Sequence, residues 1–106
     1  MTDNVNHPKG VKYDSGKPDW SLVELEGIEG MVKVLTFGAE KYERDGWKTV
    51  PDARNRYFAA LLRHLTAYQA GELVDSESGL SHLDHAMCNL YFLKHFKREI
   101  DRLEQT

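Results

Sequence analysis

The chain has 106 residues, 41% of them hydrophobic and 29% charged, a globular composition long enough for one small domain. Its 17 acidic and 14 basic side chains leave a net charge of −3, which argues against a surface built to hold a nucleic-acid polymer. The single cysteine, Cys88, supports neither a disulfide framework nor a zinc cluster, and no run is long and apolar enough to span a membrane. The expected setting is therefore cytoplasmic, in a bacterium or a phage-infected host.

Residues 1–20 are polar and hold Pro8, Gly10, Gly16 and Pro18, so they read as an irregular arm in which Tyr13 and Trp20 are able to pack on a neighbour. The stretch "GVKYDSGK" is not a phosphate-binding loop. Its glycines are one residue too far apart, and Lys17 is followed by Pro18 rather than Ser or Thr. From Ser21 the pattern turns helical, with Leu22, Leu25, Ile28, Val32 and Leu35 at three- and four-residue steps and a capping box in Ser21 and Glu24. This first helix is expected to reach about Tyr42, weakened by Gly27, Gly30 and Gly38. Turns follow at Asp45-Gly46 and Pro51-Asp52.

A second helix is predicted from Pro51 or Asp52 to just before Gly71, with an apolar stripe of Phe58, Leu61, Leu62, Leu65 and Tyr68. After a short acidic loop, a third runs from Gly79–Leu80 towards Leu103, with Leu83, Met87 and Leu90 on one stripe and a solvated end in "KHFKREIDRLEQ". No strand pattern is evident. Residues 21–106 thus form a single all-α domain of three main helices. Three helices of this length leave apolar surface uncovered, and a homo-oligomer that completes a four-helix core is the simple remedy.

Chemistry-bearing residues concentrate in three places. His82, His85, Asn89, Phe92 and Phe96 step by three and four along one face of the third helix, so a stripe apolar at one end becomes polar at the other. Two histidines at i and i+3 are able to share a metal ion, and Asp75 and Glu77 lie just before them. Such nitrogen and oxygen donors suit a divalent Mg, Mn, Co or Zn ion. The same acids also have an ordinary use, since carboxylates ahead of a helix satisfy its first amides. On the second helix Arg56 and Arg63 share a face, with His64 one step round. Glu40, Lys41, Tyr42 and Trp47 cluster at the end of the first helix. A cation beside aromatic rings suits a nucleotide, although Lys41 also suits a helix C-terminus and Trp47 also suits a roof over the core.

The stretches "YDSGKPDWSLV", "VLTFGAEKYERDGW", "RYFAALLRHLTAYQAGE" and "VDSESGLSHLDHAMCNLYFL" together resemble the phage and bacterial dATP/dGTP diphosphohydrolase N-terminal family, placed with the MazG-like all-α nucleoside triphosphate pyrophosphohydrolases. The resemblance covers about Lys12 to Leu93. It implies a MazG-like helical bundle, hydrolysis of dATP or dGTP between the α- and β-phosphates to monophosphate and pyrophosphate, and an assembly of two or four subunits. It also implies Mg²⁺ or Mn²⁺ held by E-x-x-E and E-x-x-D carboxylates. The chain departs from that pattern: laid on the two motif helices, the carboxylate positions fall on His64, His82 and His85.

The expected metal set is therefore His64, Asp75, Glu77, His82 and His85, around Mg, Mn or Co. Lys41, Arg56 and Arg63 are expected to hold phosphate, Tyr42, Trp47 and Asn89 to contact the rest of the substrate, and Glu40 to orient water. Two other readings stand beside this one. An HD-type nucleotide phosphohydrolase would be helical and histidine-dependent, but here the order is Asp84-His85. A non-enzymatic nucleotide-binding or phage accessory protein would explain the missing carboxylates.

Overall fold

A computed structural model describes Tyr13 and residues 15–105. Most of the expected arm lies outside these residues; of its aromatic groups, Tyr13 and Trp20 are exposed. The architecture is all-α, with three helices: α1 (Leu25–Lys41), α2 (Ala53–Gln69) and α3 (His82–Glu104). Short 3-10 turns, Trp20–Leu22 and Gly46–Thr49, precede α1 and α2. No strand forms among the described residues, but an isolated antiparallel bridge joins Val74 to Ser81.

The start of α1 differs from the sequence expectation. Ser21 falls inside the first 3-10 turn, where its amide donates to Asp19 Oδ1 at 3.0 Å. Glu24 occupies the cap position of α1 and makes no side-chain capping bond. The capping box therefore does not form: Asp19 captures the serine and the chain stays non-helical for two more residues. The other boundaries follow local chemistry. Gly71, at φ 101°, provides the left-handed residue that ends α2, and Ser81 Oγ accepts from the Leu83 amide to start α3.

α3 is the element on which the others lie. α2 packs along it extensively and α1 makes a smaller contact. The buried side chains are small or few: Val34 from α1, Ala53 and Leu61 from α2, Ala86 and Cys88 from α3. The predicted apolar stripes mostly miss this core. Phe58, Leu62 and Leu65 of α2 and Leu83, Met87 and Leu90 of α3 are all between 36% and 52% exposed. On α1, Leu25 and Val32 are exposed while Val34 is buried. The inward face of α1 instead carries Gly30, where a Cβ would lie 2.0 Å from Asp84 Oδ2. A helix approaches its neighbour closely where a side chain is absent, so packing selects the glycine rather than the longest row of leucines.

One stripe does turn inward along its length. His82 and Asn89 are buried, and His85, Phe92 and Phe96 are half-buried.

Candidate metal and anion site

An open cleft runs between α1 and α2 over α3, and its floor includes His85, Cys88, Asn89 and Phe92. At one end three rings meet. His64, from α2, lies flat against His85 of α3, with centroids 4.5 Å apart and planes 8° from parallel. Its Nδ1 is 2.8 Å from Nδ1 of His82. The Asp75 carboxylate stands 4.0 Å from the same His64 nitrogen. Donor atoms of His64, Asp75 and His82 all lie within 4.8 Å of one another.

The acidic loop holds this cluster from outside. It closes on itself through the Val74–Ser81 bridge, with the Asp75 amide on Leu80 O (2.8 Å) and the His82 amide on Leu73 O (2.9 Å). Asp75 Oδ1 accepts from the amides of Glu77 (2.7 Å) and Ser78 (3.1 Å). Ser78 Oγ is 2.7 Å from His85 Nε2, and Glu72 Oε2 is 3.2 Å from His82 Nε2. Partial burial would by itself raise the Asp75 carboxyl, but the amides of Ser78 and Glu77 outweigh it and hold the group below its ordinary value. Burial, reinforced by the neighbouring rings, lowers the pKa of His64; burial also lowers that of His85 against the pull of Asp75. Both shifts favour neutral imidazoles, the form able to donate a lone pair to a metal. His85, expected among the ligands, has its Nε2 on Ser78 and lies outside the group of three donors.

The remaining sequence candidates divide. Lys41, Tyr42, Arg56 and Arg63 line the same cleft. Lys41 forms an ion pair with Glu77, which raises its pKa, and its ammonium lies 5.2 Å from the Tyr42 ring centroid. Glu77 is thereby directed to Lys41, outside the group of three donors. Arg56 reaches back to the Pro51 carbonyl at 3.4 Å. Trp47 stacks on Phe92 at 4.3 Å, meets His95 edge-on at 5.0 Å, and accepts at its carbonyl from the Tyr57 hydroxyl. It packs as a roof over the floor of the cleft and is itself part of the lining. Asn89 donates from Nδ2 to the His85 carbonyl at 2.9 Å. Glu40 is exposed and does not line the cleft.

Glu72 and Ser78 are partners of histidines that no sequence motif marks. The available signal was the acidic loop itself, since a loop that closes beside two histidines must direct some of its polar groups to them.

These features define an all-α chain with a histidine–carboxylate cluster at the end of a cleft that also carries cations. The chain belongs to the dATP/dGTP diphosphohydrolase, N-terminal family, which it matches over residues 7–105. It is also similar to a dATP/dGTP diphosphohydrolase of Salmonella phage PMBT28, 33% identical over 84 residues. That alignment takes in 79% of this chain and 28% of the phage protein, so the chain spans under a third of its relative's length. No solved structure matches the chain at a significant level.

Proposed function

We propose that the cleft is the catalytic centre of a metal-dependent nucleoside triphosphate pyrophosphohydrolase acting on dATP and dGTP, with the monophosphate and pyrophosphate as products. The observation that carries this reading is the meeting of His64, Asp75 and His82 within 4.8 Å at the wall of a cleft lined by Lys41, Arg56 and Arg63. Two imidazoles and a carboxylate are a chemically suitable donor set for a divalent ion. They favour Mn or Co over Mg, whose preference is for oxygen alone. Bound there, such an ion would offset phosphate charge and acidify a water molecule.

The chain's own residues do the rest. Lys41, Arg56 and Arg63 hold the phosphates in line, and the apolar floor at Phe92 limits access of bulk water beneath them. Ser78 holds His85 beside the cluster, and Tyr42, exposed at the cleft's edge, offers a face to the base. Glu77 acts through Lys41 rather than on the ion. The name of the phage relative, a dATP/dGTP diphosphohydrolase, supports the choice of substrate. The uncovered apolar faces of α2 and α3 support a homo-oligomer as the working form.

The test is a screen of nucleoside triphosphates with Mg²⁺, Mn²⁺ and Co²⁺, with chromatography of the products. Monophosphate and pyrophosphate from dATP or dGTP are expected, and His82→Ala should abolish turnover while circular dichroism reports unchanged helix content. Release of inorganic triphosphate would select HD-type chemistry instead. Calorimetric nucleotide binding without any product would select a binding protein. Full activity in the His82 variant would remove that residue from the centre.

A further inference from the structure

His82 is 5% exposed and has both ring nitrogens engaged, so its protonation pattern is dictated by its neighbours. Nε2 lies 3.2 Å from Glu72 Oε2. An ionised carboxylate only accepts hydrogen bonds, so a neutral His82 carries its proton on Nε2. Its Nδ1 is then bare. That atom is 2.8 Å from His64 Nδ1, which must donate. The hydrogen bonds therefore run in one direction, from His64 to His82 to Glu72, and the direction is set at the carboxylate.

The backbone holds this carboxylate in place. The Glu72 amide donates to Ala67 O at 3.0 Å, which seals the end of α2. The next residue, Leu73, accepts from the His82 amide, and Val74 pairs with Ser81. Glu72 and His82 are thus registered across the closed loop, although the Glu72 side chain is 56% exposed. An exposed glutamate gains nothing from burial here; what its position provides is an acceptor for a buried ring.

We infer that Glu72 is a positioning residue: by accepting a hydrogen bond from Nε2 it fixes the tautomer of His82 that leaves a bare Nδ1 on the side of His64. A divalent ion needs such a bare nitrogen, and a carboxylate behind a ligating imidazole also raises its basicity. His82 presents its bare Nδ1 in advance, whereas His64 would have to pass its proton from Nδ1 to Nε2 to share the ion on that side. The consequence for an ion rests on the function proposed above; the tautomer does not.

The experiment uses metal-free, ¹⁵N-labelled full chain and reads the ring nitrogens by long-range proton–nitrogen correlation. Native protein, Glu72→Leu and Glu77→Leu are compared. The last removes the same charge from the same loop without touching His82. Native protein and Glu77→Leu should show His82 protonated at Nε2 and bare at Nδ1. Glu72→Leu should shift His82 to a mixture of tautomers or to the Nδ1–H form, with helix content retained. Mn²⁺ titrated calorimetrically into the same proteins should bind roughly 10–100-fold more weakly to Glu72→Leu than to native protein. A native His82 protonated at Nδ1, or an unchanged tautomer in Glu72→Leu, overturns the inference. A native chain that binds no Mn²⁺ would defeat the proposed function while the tautomer spectra still decide the role of Glu72.

Discussion

Asp75 and Glu77 lie two residues apart in one loop and do different work. Asp75 uses one carboxylate oxygen for the amides of Glu77 and Ser78 and keeps the other 4.0 Å from His64. Glu77 is drawn off by Lys41. Removing charge from each should therefore have unequal effects. Asp75→Asn keeps an oxygen for the two amides but loses the anion, and Mn²⁺ affinity should fall by about tenfold or more, whereas Glu77→Gln should change it by less than about threefold. Calorimetric titration of both variants checks this, and equal losses would place Glu77 among the ligands. Cys88 supplies a second residue-scale prediction. Burial pushes its thiol up to about 12, so the reactive thiolate is scarce in the folded chain. Iodoacetamide at pH 8 should leave native Cys88 unmodified over a period that fully alkylates the chain in urea, as read by mass spectrometry. At this scale the sequence was partly legible. The i, i+3 spacing of His82 and His85 announced a shared face, and the apolar continuation of that stripe announced that the face turns inward. What no local pattern encoded was the partner of each ring. Glu72 reaches His82, and Ser78 reaches His85, only because the loop closes through the Val74–Ser81 bridge, which depends on tertiary pairing rather than on spacing.

The helices were legible as objects more than as oriented surfaces. Gly71 marked where α2 ends, because left-handed backbone has a strong residue preference. The start expected at Gly79–Leu80 falls two or three residues early, since Ser81 caps α3 and the helix begins at His82. The packed face of α1 was not legible, because glycine has no hydrophobic signal even where the absence of a side chain is what the neighbour requires. Gly30 shows this. A Cβ there would lie within 2.0–2.3 Å of all three carboxyl-group atoms of Asp84, in the first turn of α3. Two effects then oppose each other in Gly30→Ala. Alanine favours a helix interior over glycine by roughly 1 kcal/mol. The displaced Asp84 carboxyl must rotate out of its place, and a side chain forced off its rotamer costs about 0.5–1.5 kcal/mol. Gly30→Ala should accordingly leave stability unchanged or lower it in the native background, and raise it by about 1 kcal/mol when Asp84→Ala is already present. A double-mutant cycle in urea should give a coupling between about 0.5 and 3 kcal/mol. Additive effects would mean that α1 and α3 do not approach as closely as described.

For the whole molecule, the deciding quantity is how little of their apolar surface the described residues cover. The buried apolar side chains among the described residues are Val34, Ala53, Leu61, Ala86 and Cys88, with no aromatic ring or methionine among them. Meanwhile Phe58, Leu62, Leu65, Leu83, Met87 and Leu90 stand outward on α2 and α3. Their spacing, four and three residues on each helix, makes two parallel apolar rows, bounded by Arg54 at one end of α2 and Lys94 on α3. The sequence stripes were thus sound as hydrophobic faces, but of the stripe residues on α2 and α3 Leu61 alone is buried. Six large side chains that stand 36–52% exposed on two neighbouring helices form apolar surface that association would remove from water. A second copy presenting the same two helices would cover them, because a twofold axis brings identical apolar rows together and leaves the bounding charges at the rim. Leu62→Glu and Leu90→Glu each place a carboxylate in the middle of that face, and a twofold axis inserts it twice. Either substitution should convert a dimer into monomers by sedimentation equilibrium at micromolar concentration and lower the thermal midpoint. Gln69→Glu, on the exposed end of α2, should do neither. The cluster of His64, Asp75 and His82 is assembled within one chain, so a monomeric variant that remains folded should still bind Mn²⁺. A native chain that sediments as a monomer at all concentrations would leave the two rows without a function in self-association.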